Sequence, residues 1–211
     1  MSKPLGSFKA TVIRAEQLID LCENEPALVE SDDLLRAAVT LAVAAYDHYF
    51  TSKFVDVLNS YLRNNKPNKE LVDLLSRAGL NTESALEIAV MKRPFRRIRS
   101  LLQTSLGEKT THRQKAIDGL FAAIELKGLS GRVHNECGRN NLGKRIDKLV
   151  ETRNSIVHSG HLNTRGKPKA IDAQDTRNRI REIKLFIEAT DAIIDDWVKG
   201  KPGLSSTSST D

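Results

Sequence analysis

The feature that most constrains this fold is a nearly apolar run at residues 37–46, with the sequence AAVTLAVAAY. Its ten residues are too few to cross a bilayer as a helix, which takes roughly 20. Asp32 and Asp33 lie just before the run, where the dipole of a starting helix favours acidic side chains. The pattern therefore predicts a helix from Ser31 to about Arg63 that is buried on most of its sides.

Helical periodicity continues through the rest of the chain, and the alternating pattern of strands is nearly absent. We therefore expect an all-α fold. Further helices are predicted at about 8–23, in two or three short pieces within 68–107, and at 113–127, 142–159 and 173–198. In the first of these, Val12, Leu18 and Leu21 form the expected apolar line, with Ile13 and Ile19 beside it. Pro26 should end the helix. Glycines and polar residues predict an irregular connection over 128–141.

The composition indicates one domain over 1–199, with a helical insert at 65–110 and a disordered Ser/Thr-rich tail at 200–211. Basic side chains outnumber acidic ones by 33 to 27, which favours a polyanionic partner, and RNA is the one we expect. Cys22 and Cys137 offer neither a disulfide framework nor a zinc site. With no secretion signal and no membrane segment, we expect a cytoplasmic protein without a cofactor.

One short segment stands out chemically, because Arg153 and His158 lie five positions apart near the end of a predicted helix. Asn154 and His158 share a helix face at i, i+4 spacing. Arg153 points about 140° away from His158 on an ideal helix. It also continues the apolar line through Leu149, so we expect it to face packed protein. The pair can converge through a distorted helix end, a long reach by the arginine, or a second chain, and the packing favours a protomer interface.

The stretch LVETRNSIVHSG resembles the signature of the HEPN family, an arginine followed after four to six residues by a histidine. The segment LLRAAVTLAVAAYDHYF resembles the early HEPN helix, and the RiboL-PSP-associated clade is the most similar one. The resemblance covers roughly 30–60 and 112–197. It implies a HEPN-like helical bundle and a homodimer that brings two motifs into one cleft. It also implies ribonuclease activity without a metal.

The resemblance also implies residue roles and a biological setting. Arg153 and His158 would be the central pair, Asn154 the polar neighbour, and Asp47 the acidic residue of the early helix. The protein would be a toxin or an antiviral defence effector, with an antitoxin or a defence-system component as partner. Two alternatives stay open at this point, a non-catalytic HEPN module that binds RNA or protein, and a helical interaction protein with a coincidental motif.

The residue types suit RNA cleavage by 2′-hydroxyl attack on the adjacent phosphorus. Histidine titrates near neutral pH, so His158 can act as general base or general acid. Arginine is always charged and its fork matches phosphate oxygens, so Arg153 can offset charge on the phosphorane. No carboxylate cluster has metal-ligand spacing, so we expect no metal site.

A basic run at 92–99 has five basic residues in eight. Four arginines in it are the predicted RNA-binding residues: Arg93, Arg96, Arg97 and Arg99. They can follow an RNA backbone, and a solvated helix face is the competing interpretation. Beyond the motif, two interpretations of His161, Lys167 and Lys169 are open: they line a substrate entrance, or, as we expect, they belong to a mobile surface loop.

Overall fold

The computed structural model describes residues 2–24, 31–107, 113–139 and 141–200. These residues form helices and no strands, with one isolated bridge between Leu162 and Pro168, which confirms the all-α prediction. The helices are α1 (Lys3–Asn24), α2 (Ser31–Asn64), α3 (Lys69–Arg77), α4 (Thr82–Ala89), α5 (Pro94–Gly107), α6 (Gln114–Ala122), α7 (Leu129–Cys137), α8 (Leu142–Ser159) and α9 (Ala173–Gly200). None of the helices in these ranges is long and apolar enough to cross a membrane.

The chain forms two compact units, one from the described parts of 1–49 and 133–191 and the other from those of 50–132 and 192–211. The boundaries fall within α2, within α7 and within α9. Residues 65–110, the predicted insert, contribute α3 to α5 and belong to the second unit. The single domain over 1–199 stays a prediction. Pro26 and residues 201–211 of the predicted tail lie outside the described residues, while Gly200 ends α9.

The first unit is built around aromatic side chains of α2. The Phe8 ring of α1 meets Tyr49 edge-on at a centroid distance of 6.2 Å, and Tyr46 lies 6.1 Å from Phe186 of α9. The buried Tyr49 hydroxyl donates to the Asp191 carboxylate at 3.0 Å. These contacts fix α2 against its neighbours on both sides, in agreement with the burial that its sequence predicts.

The predicted apolar face of α1 is confirmed at Val12 and wrong at Leu21. The buried line consists of Leu5, Phe8, Val12, Ala15 and Ile19, whereas Leu21 is exposed. The helix begins five residues earlier than predicted, at Lys3, which adds Leu5 to the face. The contact of Phe8 with Tyr49 then sets the helix rotation and turns Leu21 toward solvent.

The predicted irregular connection at 128–141 is also wrong, because most of it is helix α7. The Asp118 side chain accepts a hydrogen bond from the Ser130 backbone N–H at 2.7 Å. It thereby satisfies a donor that the first turn of a helix leaves unpaired. Leu129 and Val133 are fully buried. Helix α6 ends earlier than predicted, at Ala122.

The segment after α8 forms a hairpin, and the burial of His161 in it differs from the surface loop that we expected. His161 is 7% exposed and adopts a φ of 56°. Its carbonyl accepts from the Lys169 backbone N–H at 2.8 Å, and the Lys169 carbonyl accepts from Arg36 Nη2 at 2.9 Å. Lys167 and Lys169 are exposed. Burial lowers the pKa of His161, and the charges of Arg36 and Lys169 lower that pKa further.

We expect the protein to lose stability as the pH falls below about 6.5, the ordinary pKa of histidine. The folded-state pKa of His161 is depressed, so the unfolded chain takes up a proton first and acidification favours unfolding. Urea titrations at pH 7.5 and 5.5 should show the smaller free energy of unfolding at pH 5.5. His161→Asn should shrink this difference. An equal difference in wild type and His161→Asn would contradict the assignment.

Candidate active site

Helix α8 carries the motif on a face that begins as apolar core. Leu142, Ile146 and Leu149 are each 1% exposed, and Arg153 follows them on the same line. Its side chain is 19% exposed, so the expectation that it faces packed protein is met. Gly160 ends the helix with a φ of 62°, a left-handed conformation that glycine adopts without steric cost.

The packed surface that Arg153 faces belongs to its own chain. Its Nη2 lies 3.6 Å from Oδ2 of Asp47 on α2, whose side chain is 21% exposed. The burial of the arginine therefore needs no second protomer. Asp47 directly follows the nearly apolar run of α2 in the sequence, and its role as the acidic residue of the motif stays a prediction.

Asn154 redirects Arg153. Arg153 Nη1 donates to Asn154 Oδ1 at 2.9 Å, and Asn154 shares its helix face with His158. This bond draws the guanidinium sideways around the helix toward the face that carries the histidine. Helix α8 stays α-helical through Ser159, so a distorted helix end does not bring Arg153 and His158 together.

His158 differs from the other three predicted site residues in being exposed on the last turn of α8. Within the described residues no hydrogen bond or ion pair ties its side chain to a neighbour. Val157 precedes His158 and Leu162 follows four residues later, and their side chains are 56% and 42% exposed. The structure therefore brings Asp47, Arg153 and Asn154 together and leaves His158 beside an apolar surface.

A cleft of about 440 Å³ is lined in part by Leu149 and Thr152 of α8. Its lining combines apolar side chains with polar ones: Val39, Leu149, Thr152, His161, Ala170, Ile171, Asp172, Asp175, Thr176 and Arg179. Several of the polar groups are already engaged, since Arg179 pairs with Asp175 at 2.9 Å and the Asp172 side chain caps the start of α9. Nδ1 of His161, by contrast, has no hydrogen-bond partner among the described residues.

The arginines of the basic run lie in the second unit, at the junction of α4 and α5. Arg93, Arg96 and Arg97 are exposed. Arg99 differs, because its Nη2 lies 2.8 Å from the Asp56 carboxylate of α2. Three of the four predicted RNA-binding arginines are thus available to a ligand, and the fourth has an intramolecular partner.

Sequence reasoning missed two residues that organise the end of α8, Arg36 and His161. Arg36 appeared as an ordinary residue of a helix start, and His161 as part of a loop. A left-handed glycine at the end of a helix is often followed by a residue that packs back onto it. The sequence Ser159-Gly160-His161 therefore carried a signal for the burial of His161, but none for Arg36.

Comparison with protein families gives a match to the RiboL-PSP-HEPN model over residues 12–196. The match runs through the predicted insert as well as both segments that carry the resemblance. Neither the curated proteins nor the solved structures gave a match. The family prediction is confirmed, and the chain belongs to the RiboL-PSP-HEPN family.

Proposed function

We propose that this protein is an endoribonuclease that cleaves RNA by 2′-hydroxyl attack, with Arg153 and His158 as catalytic residues and without a metal. HEPN domains are generally associated with ribonuclease activity. The observation that carries the proposal is the Arg153 guanidinium, which lies beside Asp47 and donates to Asn154, a residue on the same helix face as His158. In its biological role the enzyme is a toxin or defence effector, restrained by an antitoxin or another defence-system component.

The geometry suits Arg153 for binding phosphate. A guanidinium has five N–H donors, and one of them is used by Asn154. The 3.6 Å separation from Asp47 is too long for a hydrogen bond, so this carboxylate stabilises the charge without occupying the fork. The remaining donors are suited to the charge that develops on phosphorane oxygens.

His158 is suited to proton transfer by its position. It is exposed, so a ribose hydroxyl or a leaving 5′-oxygen can approach it. Cleavage needs both a general base and a general acid, and each chain carries one such histidine in its motif. Two copies of His158 in one cleft would supply both roles.

Cleavage should persist in EDTA and leave 2′,3′-cyclic phosphate and 5′-hydroxyl ends, because a histidine removes the 2′-hydroxyl proton and no metal-bound water attacks. End-labelling of the products from a defined RNA distinguishes these ends from 3′-hydroxyl and 5′-phosphate. The latter ends, or a strict need for Mg²⁺, would count against the mechanism. Binding of RNA without cleavage would favour the non-catalytic HEPN module instead.

His158→Ala and Arg153→Ala should each lower the cleavage rate by roughly 10² or more, the scale of losing acid–base catalysis or charge stabilisation. Asn154→Ala and Asp47→Ala should cost less, since they direct the guanidinium and do not contact the reacting atoms. Rates are measured on one RNA, with helical circular dichroism as the check on folding.

The matched control for these variants is Arg145→Ala. Arg145 lies two turns earlier on α8 and pairs with the Glu182 carboxylate of α9, so it tests the loss of an ion pair alone. Its cleavage rate should stay near that of wild type. A His158→Ala variant with near-native activity would show that the catalytic assignment is wrong.

We further propose a homodimer that covers the surface beside His158. Val157 and Leu162 expose large apolar side chains there, and a two-fold contact would remove both from water. Light scattering at low micromolar concentration should give about twice the chain mass of 23.5 kDa. Val157→Glu should yield monomers with little activity. A monomer that cleaves at the full rate would rule out a shared site.

The basic run should contribute salt-sensitive RNA affinity without base readout. Replacing Arg93, Arg96 and Arg97 by Gln should weaken RNA binding. If each arginine contacts one phosphate of a single strand, the slope of log K against the logarithm of the salt concentration should become shallower by about 2. Arg99→Gln is the matched control, because its ion pair with Asp56 makes it a poorer ligand. An unchanged slope in the triple variant would assign the run to a solvated surface.

A further inference from the structure

The start of the hairpin that follows α8 is hydrogen-bonded to the last turns of that helix. The His161 backbone N–H donates to the Ser155 carbonyl at 3.0 Å, and Gly160 N–H donates to the Ile156 carbonyl at 3.0 Å. His158 lies between these donors and acceptors. Its backbone position therefore depends on where the hairpin holds Gly160 and His161.

Arg36 of α2 holds the other side of this hairpin. Its side chain is 10% exposed and pairs with Asp33 at 2.7 Å. Its Nη2 donates to the Lys169 carbonyl, and the Lys169 N–H donates to the His161 carbonyl. A continuous series of hydrogen bonds thus runs from α2 through the hairpin to the Ser155 carbonyl of α8.

A histidine is a costly choice at position 161. The residue that follows a left-handed helix cap is frequently apolar and packs onto the last turn. Here Nδ1 of His161 and Nε of Arg36 are both buried without a hydrogen-bond partner among the described residues. A φ of 56° outside glycine also costs energy. Such costs persist where the surrounding structure holds a residue in place, as at functional sites.

We propose that Arg36 and His161 are positioning residues, which make the hairpin at 161–169 a clamp that orients His158 for RNA cleavage. This inference rests on the proposed function. Under this proposal, α2 positions two parts of the motif. Asp47 sets the direction of Arg153, and Arg36 fixes the turn that carries His158. One buried helix thereby positions both catalytic side chains relative to each other.

Arg36→Met tests the clamp, because methionine keeps an apolar stem and removes the guanidinium. Amide hydrogen exchange at Gly160 and His161 should accelerate by about tenfold or more, the scale of losing one hydrogen bond to a charged group. The kcat for RNA should fall by about tenfold at an unchanged Kd. Arg36→Lys should restore part of both, because its ammonium can donate to the Lys169 carbonyl.

Arg177→Met is the matched control. Arg177 pairs with Asp20 and Glu23 of α1 in the same unit, so its loss removes comparable ion pairs away from the hairpin. It should leave exchange at Gly160 and His161 unchanged. In a His158→Ala background, Arg36→Met should cause no further loss of activity, because the clamp acts through His158.

Unchanged exchange in Arg36→Met would overturn the clamp. Faster exchange with a native kcat, or a further loss in the His158→Ala background, would overturn the positioning role.

If Arg36→Met does not fold, His161→Asn takes its place, because asparagine tolerates a positive φ and lacks the ring. A wild-type chain that cleaves no RNA would overturn the proposed function, and exchange together with an NMR titration of the His158 imidazole would still decide the clamp.

Discussion

A cation on the apolar line of a helix must be paired before that helix can pack, and this requirement governs the motif. Arg153 continues the line of Leu149 on α8, where an unpaired charge would carry a large desolvation cost. Asp47 of α2 meets it at 3.6 Å. Once this pair forms, α8 can bury its apolar face with the motif at its end, and Asn154 and His158 are left on the outer face.

The pair is positioned by the burial of α2. Tyr46 and Tyr49 lie on either side of Asp47 in the sequence, and both are fully buried against partners from α9. A carboxylate between two such anchors has little freedom to move. The nearly apolar run that dominates the sequence therefore does more than fill a core, since it places the acidic partner of Arg153.

The long helices and the motif could be predicted from the sequence, because their signals are local. Helices α2, α8 and α9 each carry a continuous apolar pattern with start or stop residues nearby. Helix α7 could not be predicted in this way, because its first turn is capped by Asp118, twelve positions from Ser130. The face of α1 depends on the distant Tyr49, and the hairpin after α8 depends on Arg36, which lies 133 positions from Lys169. In each of these cases tertiary contacts outweigh local propensity.

Holding Arg153 firmly and leaving it able to bind phosphate are opposing requirements, and the structure reconciles them with two different partners. A close bidentate carboxylate would anchor the guanidinium but occupy its fork and offset its charge. Asp47 instead remains at 3.6 Å, and both side chains are about one-fifth exposed, so solvent screens their attraction. Asn154 is a neutral acceptor and takes one N–H without cancelling charge. A lysine could not replace this arginine, because a single ammonium cannot bond Asn154 and also present a planar fork to phosphate.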